Sequence, residues 1–287
     1  MRIVSFIDNG ESRIGVRDQN DIIDLSIAMP ELPQDLLAIL QAGPELMVKI
    51  KAEASKAPKE ARKPYKNVEF SPLIARPPKI ICIGRNYAAH AAEGGAETPT
   101  YPEIFFRGAE SLIGHKQYII RPKCSDRLDY EGEVAVIIGK KGRHISEEDA
   151  FDHIVGYTIF NDATIRDYQR KSSQWTIGKT FDGTGAFGPE LVTSDELPLG
   201  MKEVQIQTRL NGRVMQNANT RDLVFPVDYL IATLSECMTL MPGDVIVTGT
   251  PAGVGYARTP PVFMKPGDVC EIEVEGLGVL INTVADE

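Results

Sequence analysis

Cysteine and histidine are scarce in this chain of 287 residues, with four of each, and that scarcity excludes several chemistries. Cys82, Cys124, Cys237 and Cys270 form no Cys-x-x-Cys pair, and each stands alone in or beside an apolar segment. That spacing supports neither a disulfide framework nor a zinc site, and reduced thiols packed inside a cytosolic protein are expected. A basic excess is also missing, since 31 Lys and Arg face 40 Asp and Glu for a net charge of −9. Nucleic acid and anionic membrane surfaces both require a basic face, so neither is an expected partner. A small anionic substrate would need locally concentrated positive charge.

Long apolar runs are lacking as well. The stretch Met1 to Asp8 holds no run of signal-peptide length, and Val134 to Ile138 is strand-sized, far below the roughly 20 residues that span a bilayer. The expectation is a cytoplasmic protein. The single tryptophan, Trp175, is read as packing. Strands and helices do not alternate regularly, which argues against a doubly wound sheet. The loop Thr248-Gly249-Thr250-Pro251-Ala252-Gly253-Val254-Gly255 lacks the Lys-Ser/Thr of a P-loop and the spacing of a dinucleotide fingerprint. It reads instead as a tight loop offering backbone N–H groups and the Thr250 hydroxyl to a ligand.

What is present is strand-rich. Asn9-Gly10 and Asn211-Gly212 mark hairpins. Ile80 to Gly84, Glu133 to Gly139 and His153 to Phe160 read as buried strands. Asn86 is placed to cap a helix running through Glu93. Helical stretches are expected at about 33–42 and 45–57, and Pro226 to Thr239 has helical periodicity. Ser71-Pro72 and Arg76-Pro77-Pro78 punctuate the chain, which places a boundary between a small N-terminal domain, residues 1–70, and a second domain, residues 71–287. Met241-Pro242-Gly243-Asp244 and Lys265-Pro266-Gly267-Asp268 are the same Pro-Gly turn feeding two strands.

Three groups of residues carry chemistry. Glu131 and Glu133 stand two apart at the head of a strand, so both point to one face at the edge of an apolar core. Asp162 ends a second strand and can complete the set. Like charges placed together disfavour each other's ionisation, so they call for a cation. Three monodentate carboxylates suit a hard ion such as Mg²⁺ or Mn²⁺. Taken alone, a Glu-x-Glu pair is more often a solvated strand face. His90 and Glu93 lie three apart on one helix face, where the carboxylate can fix the imidazole tautomer for general-base work; the bland alternative is a surface ion pair. His115 and His144 have polar flanks and are expected at the surface. Arg166, Gln169 and Lys179 follow Asp162 and can supply positive charge for an anion, or form a solvated helix face.

Five stretches in order resemble the fumarylacetoacetate hydrolase family: Gly84 to Glu93, Asp129 to Glu133, Gly156 to Asp162, Gly178 to Asp182, and Pro242-Gly243-Asp244 through Thr250-Pro251 with Gly253 and Gly255. The resemblance covers roughly residues 75–285. It implies an α+β, β-rich mixed roll or sandwich with a small N-terminal α/β domain, and commonly a homodimer. It also implies Mg²⁺ or Mn²⁺ on Glu131, Glu133 and Asp162, with His90 and Glu93 as the catalytic pair. Arg166, Gln169, Lys179 and Thr250 match positions that hold or polarise substrate. One departure stands out. Many members carry Lys-Pro after a Phe-Phe pair, whereas here Arg107-Gly108 follows Phe105-Phe106, and lysine and arginine are not interchangeable near a site.

The expected reaction is metal-dependent hydrolysis of a C–C bond in a 2,4-dioxo, acylpyruvate-like acid through a stabilised enolate. His90 would activate water and Lys179 would balance enolate charge. Oxaloacetate-type decarboxylation or dienedioate isomerisation would use the same electron sink. A non-catalytic module holding a structural cation is the remaining alternative.

Overall fold

Two Asn-Gly hairpins anchor the β-structure of the computed structural model, which describes residues 1–287. Asn9 and Gly10 have φ of 52° and 80°, and Asn211 and Gly212 have φ of 52° and 75°. A two-residue turn with both φ positive matches the right-handed twist of the strands it joins. The first turn closes Arg2–Asp8 on Glu11–Asp18, and the second closes Gln205–Leu210 on Arg213–Asn219.

The first hairpin joins a large mixed sheet. Its order is Arg62–Pro64, Asp21–Asp24, Glu11–Asp18, Arg2–Asp8, Gly185–Thr193, Ile154–Asp162, Gly132–Ile138, Val245–Val247, Ile80–Gly84, Glu103–Phe106. The N-terminal strands thus extend the same sheet that carries the rest of the chain, through pairing of Ile3 with Leu191. A five-stranded sheet, Arg213–Asn219, Gln205–Leu210, Val269–Val274, Gly278–Asp286, Ile119–Arg121, packs on one face. The helix Val227–Cys237 lies in that layer, and Leu36–Gln41 and Pro44–Ala54 cover the other face.

Alternation along Gly132–Ile138 shows how the central sheet is buried on both sides. Val134, Val136 and Ile138 enter the core shared with the second sheet, while Ala135 and Ile137 enter the core under the N-terminal helices. Glu131 and Glu133 share the parity of Ala135 and Ile137. In the neighbouring strand, Asp162 shares the parity of Phe160, which lies in that same second core. Gly132 sits between the two glutamates because the second sheet presses against it. A Cβ there would lie 2.3 Å from Thr208 Oγ1.

Three local expectations are corrected. Asn86 caps no helix. The helix runs from Ala88 to Glu93 with Tyr87 at its N-cap, and the Asn86 amide instead donates to Phe225 O and Thr248 O and accepts from Phe225 N. This ties the loop before the helix to two distant segments. Cys82 and Cys270 are buried, but Cys124 and Cys237 are exposed. His144 is exposed, but His115 is buried against Phe70. Its Nδ1 accepts from Ile281 N at 3.1 Å, which requires an unprotonated Nδ1.

Burial, aided by Lys116, depresses the His115 pKa from 6.5 to about 4. The unfolded chain therefore binds this proton more tightly than the native state. The linked stability is present above pH 6.5 and is lost as pH falls toward 4, by up to about 3 kcal/mol. His115→Asn keeps an acceptor for Ile281 N without the titration. It should flatten the pH dependence of denaturant-unfolding free energy across that window; an unchanged slope would refute the assignment.

Candidate active site

The acidic cluster follows from strand register. Gly132 pairs with Asn161, which sets Glu131 across from Asp162, and Asp162 N donates to Glu131 O at 2.9 Å. Glu133 is two residues along on the same face. One carboxylate oxygen from each of the three residues lies within 4.8 Å of the others, and all three residues are buried. Like charges directly opposed across strands are destabilising unless neutralised.

Buried cations neutralise two of the three. Lys179 Nζ donates to Glu131 Oε2 and Asp162 Oδ2, both at 2.5 Å. Arg166 Nε donates to Asp129 Oδ2 at 2.8 Å, and its Nη1 to Gln169 Oε1 at 3.0 Å. Arg166 Nη2 lies 2.7 Å from Glu131 Oε1 without forming an aligned hydrogen bond. Burial alone would raise the Glu131 pKa, but Lys179 and Arg166 outweigh it and bring it to about 2. Burial likewise opposes the Lys179 charge, yet Asp162 and Glu131 hold the ammonium above its ordinary pKa.

Glu133 is different. It accepts from Gly249 N and has no cationic side-chain partner. Burial, then Asp162 and Glu131, push its pKa well above the ordinary range. A carboxylate that lacks only positive charge, beside two others that share its face, fits a divalent cation. The oxygen-only donor set points to a hard ion.

Opposite the triad, the helix Ala88–Glu93 carries the expected pair. His90 Nδ1 is 2.8 Å from Glu93 Oε1, and Glu93 Oε2 accepts from Gly253 N at 2.8 Å. The Gly-rich loop therefore fixes the carboxylate that orients the imidazole. Gly253 has φ of 109°, and a Cβ there would lie 2.1 Å from Met215 O. With Nδ1 toward a carboxylate, Nε2 is left with the free lone pair.

One cavity of about 470 Å³ collects these groups. His90, Glu131, Glu133, Asp162, Arg166, Gln169, Lys179 and Thr250 all line it, and Glu93 stands behind His90. The Thr250 hydroxyl is engaged with Gly132 O and Gln216 Nε2. Trp175 packs edge-on to Phe105, as a packing residue would, and also forms cavity wall.

Several contributors escaped sequence reasoning. Asp129 holds Arg166 and accepts from Gly255 N and Tyr256 N. Its place beside Tyr130-Glu131 in a matched motif was the available signal. Gln216 joins Gly132 N to Thr250 and Pro251 from a strand of the second sheet, and nothing local marks it. Arg170 lines the cavity mouth, stacks on Tyr256 at 4.4 Å and has no carboxylate partner.

The architecture and the site define a β-rich enzyme class with an acidic, divalent-metal type of centre and a carboxylate-oriented histidine beside it. Residues 79–285 match the fumarylacetoacetate (FAA) hydrolase C-terminal family model. The chain is 42% identical over 290 residues to a Xenopus laevis protein named mitochondrial oxaloacetate tautomerase, covering 99% of this chain and 90% of that protein. Among solved structures, fumarylacetoacetate hydrolase from psychrophilic Exiguobacterium antarcticum is similar with a TM-score of 0.87, at 35% identity and full coverage of both chains. Maleylpyruvate hydrolase from Sphingobium sp. SYK-6, in complex with manganese(II) ion and pyruvate, is similar with a TM-score of 0.82 at 30% identity, covering 100% of this chain and 99% of that one. The chain belongs to the fumarylacetoacetate hydrolase family. No helix is long and apolar enough to cross a membrane, while the Xenopus relative carries a mitochondrial name, so a cytoplasmic location gains no support from it.

Mg²⁺ or Mn²⁺ at a hundredfold excess over Kd should stabilise the native state by about 2.7 kcal/mol, read as a rise in Tm. Glu133→Gln should abolish that rise while leaving the metal-stripped protein at least as stable, because it removes a carboxyl whose ionisation burial and its neighbours already oppose. A metal-induced shift that persists in this variant would place the ion elsewhere.

Proposed function

We propose that this chain interconverts the keto and enol forms of a small 2-oxo dicarboxylate of the oxaloacetate type. The observation that carries the reading is His90, oriented by Glu93, on the wall of the same cavity as the acidic triad. The name of the 42% identical relative supports the same choice of substrate. C–C hydrolysis, expected first from sequence, becomes the second reading, favoured by the maleylpyruvate hydrolase neighbour. Decarboxylation of the same acid shares the enolate and differs only in which bond to C3 breaks.

The chemistry is a proton relocation. His90 Nε2 takes a proton from C3; that C–H pair becomes the C2=C3 bond, and the carbonyl π pair moves to the C2 oxygen, which takes the proton back from the His90 imidazolium, directly or through water. Glu93 stabilises the imidazolium formed. A divalent ion on Glu131, Glu133 and Asp162, with Mg²⁺ and Mn²⁺ the fitting choices, would supply Lewis-acid polarisation of the 2-oxo oxygen. Lys179 and Arg166 add fixed positive charge on the same side, and no proton need leave them. Arg170, free of a carboxylate partner at the mouth, suits the distal carboxylate.

Ultraviolet absorbance of the oxaloacetate enol follows the reaction, and a coupled assay for pyruvate detects decarboxylation. Wild type should speed enol–keto exchange without net pyruvate. His90→Gln should lower kcat by about 10²–10⁴-fold and leave the metal-induced Tm shift intact. Arg170→Gln should raise KM for oxaloacetate roughly tenfold with little change in kcat. Wild-type cleavage of acylpyruvates, with no effect on oxaloacetate exchange, would overturn the proposal in favour of hydrolysis.

A further inference from the structure

Arg107 follows the Phe105-Phe106 pair, and the structure places it behind Asp162 with its side chain fully buried. Its Nη1 donates to Asp162 Oδ1 at 2.5 Å and to Ala163 O at 3.1 Å. Its Nη2 donates to Thr184 Oγ1 at 2.9 Å, and Nε to Ser111 Oγ at 3.3 Å. The guanidinium lies 5.7 Å from the Phe160 ring centre. Room for it comes from Gly185, where a Cβ would stand 3.0 Å from Arg107 Nη2. Arg107 does not line the cavity. It reaches the site only through Asp162.

We propose that Arg107 is a positioning residue that restricts Asp162 to single-oxygen ligation and thereby sets the choice of metal. This rests on the reading of Glu131, Glu133 and Asp162 as the metal ligands. With Oδ1 locked to a guanidinium fixed at three further oxygens, Oδ2, which accepts from the Lys179 ammonium that also bridges to Glu131, is the oxygen on the side of the glutamates. Gly249 N occupies Oε2 of Glu133 in the same manner. Mg²⁺ and Mn²⁺ accept single oxygens in octahedral order, whereas Ca²⁺ takes six to eight oxygens and can fill them with both oxygens of one carboxylate. A clamp on the second oxygen of Asp162 selects against Ca²⁺. A lysine would offer one point charge without the fork and could not hold Oδ1, Ala163 O and Thr184 Oγ1 together.

The test is calorimetric titration of Mg²⁺, Mn²⁺ and Ca²⁺ into metal-stripped protein, with thermal unfolding of each variant. Wild type should bind Mg²⁺ more tightly than Ca²⁺. Arg107→Lys should narrow the Ca²⁺/Mg²⁺ ratio of Kd values by about tenfold or more, the scale of lost outer contacts at metal sites. Thr184→Val, which keeps Arg107 but frees Nη2, should move the ratio in the same direction by less and serves if the lysine variant folds poorly. A wild type without Mg²⁺ preference overturns the inference. So does an unchanged ratio in folded variants, even with lowered Tm, since that marks a purely structural role. Glu133→Gln separates the underlying reading: if it binds the ions as tightly as wild type, the triad is not the metal site.

Discussion

Three carboxylates held within 4.8 Å of one another, all buried, set the constraint around which the rest of this molecule is arranged. Charges so placed repel at low effective dielectric, and each also loses hydration. The fold answers with cations drawn from separate parts of the chain. Lys179 bridges Glu131 and Asp162, Arg107 takes the far oxygen of Asp162, and Arg166 lies against Glu131 while anchored on Asp129. None of these cations is near the glutamates in sequence. The ends of two central strands, the short helices Arg166–Gln169 and Thr176–Lys179, and the edge strand Glu103–Phe106 must therefore all be in place before the cluster is tolerable.

The two-sided burial of the central sheet makes that assembly rigid. A strand with apolar residues on both faces cannot slip by one residue without moving every side chain to the wrong core. Its register is therefore strongly specified, and with it the opposition of Glu131 to Asp162. Gly132 lets the second sheet approach, and Gln216 from that sheet ties Gly132 N to Thr250 and Pro251. The Gly-rich loop continues the chain of contacts to Glu93 through Gly253 N. The metal side and the histidine side of the cavity are connected by hydrogen bonds through one loop.

Much of this was legible in the sequence where chemistry is local. The Asn-Gly turns, the paired Pro-Gly-Asp turns and the two-residue spacing of Glu131 and Glu133 depend only on neighbours along the chain. In both Pro-Gly-Asp turns the aspartate side chain accepts from the backbone N–H three residues earlier, and the glycine has φ of 88°. The i, i+3 spacing of His90 and Glu93 likewise stated its own geometry, now seen as a 2.8 Å contact. What stayed hidden depends on long-range approach. Asn86 looked like a helix cap because its true partners, Phe225 and Thr248, are far away in sequence. His115 looked exposed because its neighbours are polar, yet Phe70 and Ile281 bury it. Arg107 was visible only as a departure; its role depends on the space left by Gly185, a residue of another strand.

Charge at the site explains why one architecture can serve several enolate reactions. Glu131, Glu133, Asp162 and Asp129 face Arg107, Arg166 and Lys179, so four potential negative charges meet three positive ones. The unloaded site is close to balance and has little electrostatic reason to attract an anion. Adding a divalent ion turns the excess positive, and a substrate with two carboxylates then restores the balance. Every reaction that ends in a 2-oxo enolate benefits equally from that field, whether the electron pair came from a C–H, a C–COO⁻ or a C–acyl bond. Discrimination among them must come from what stands at C3 and beyond. The cavity wall carries His90, whose Nδ1 faces Glu93, and Arg170, which has no carboxylate partner. Under the proposed reading, a base at C3 and a cation for the distal carboxylate would favour moving the proton of a dicarboxylate over expelling its carboxylate, because a carboxylate kept as an ion pair is a poor source of CO₂.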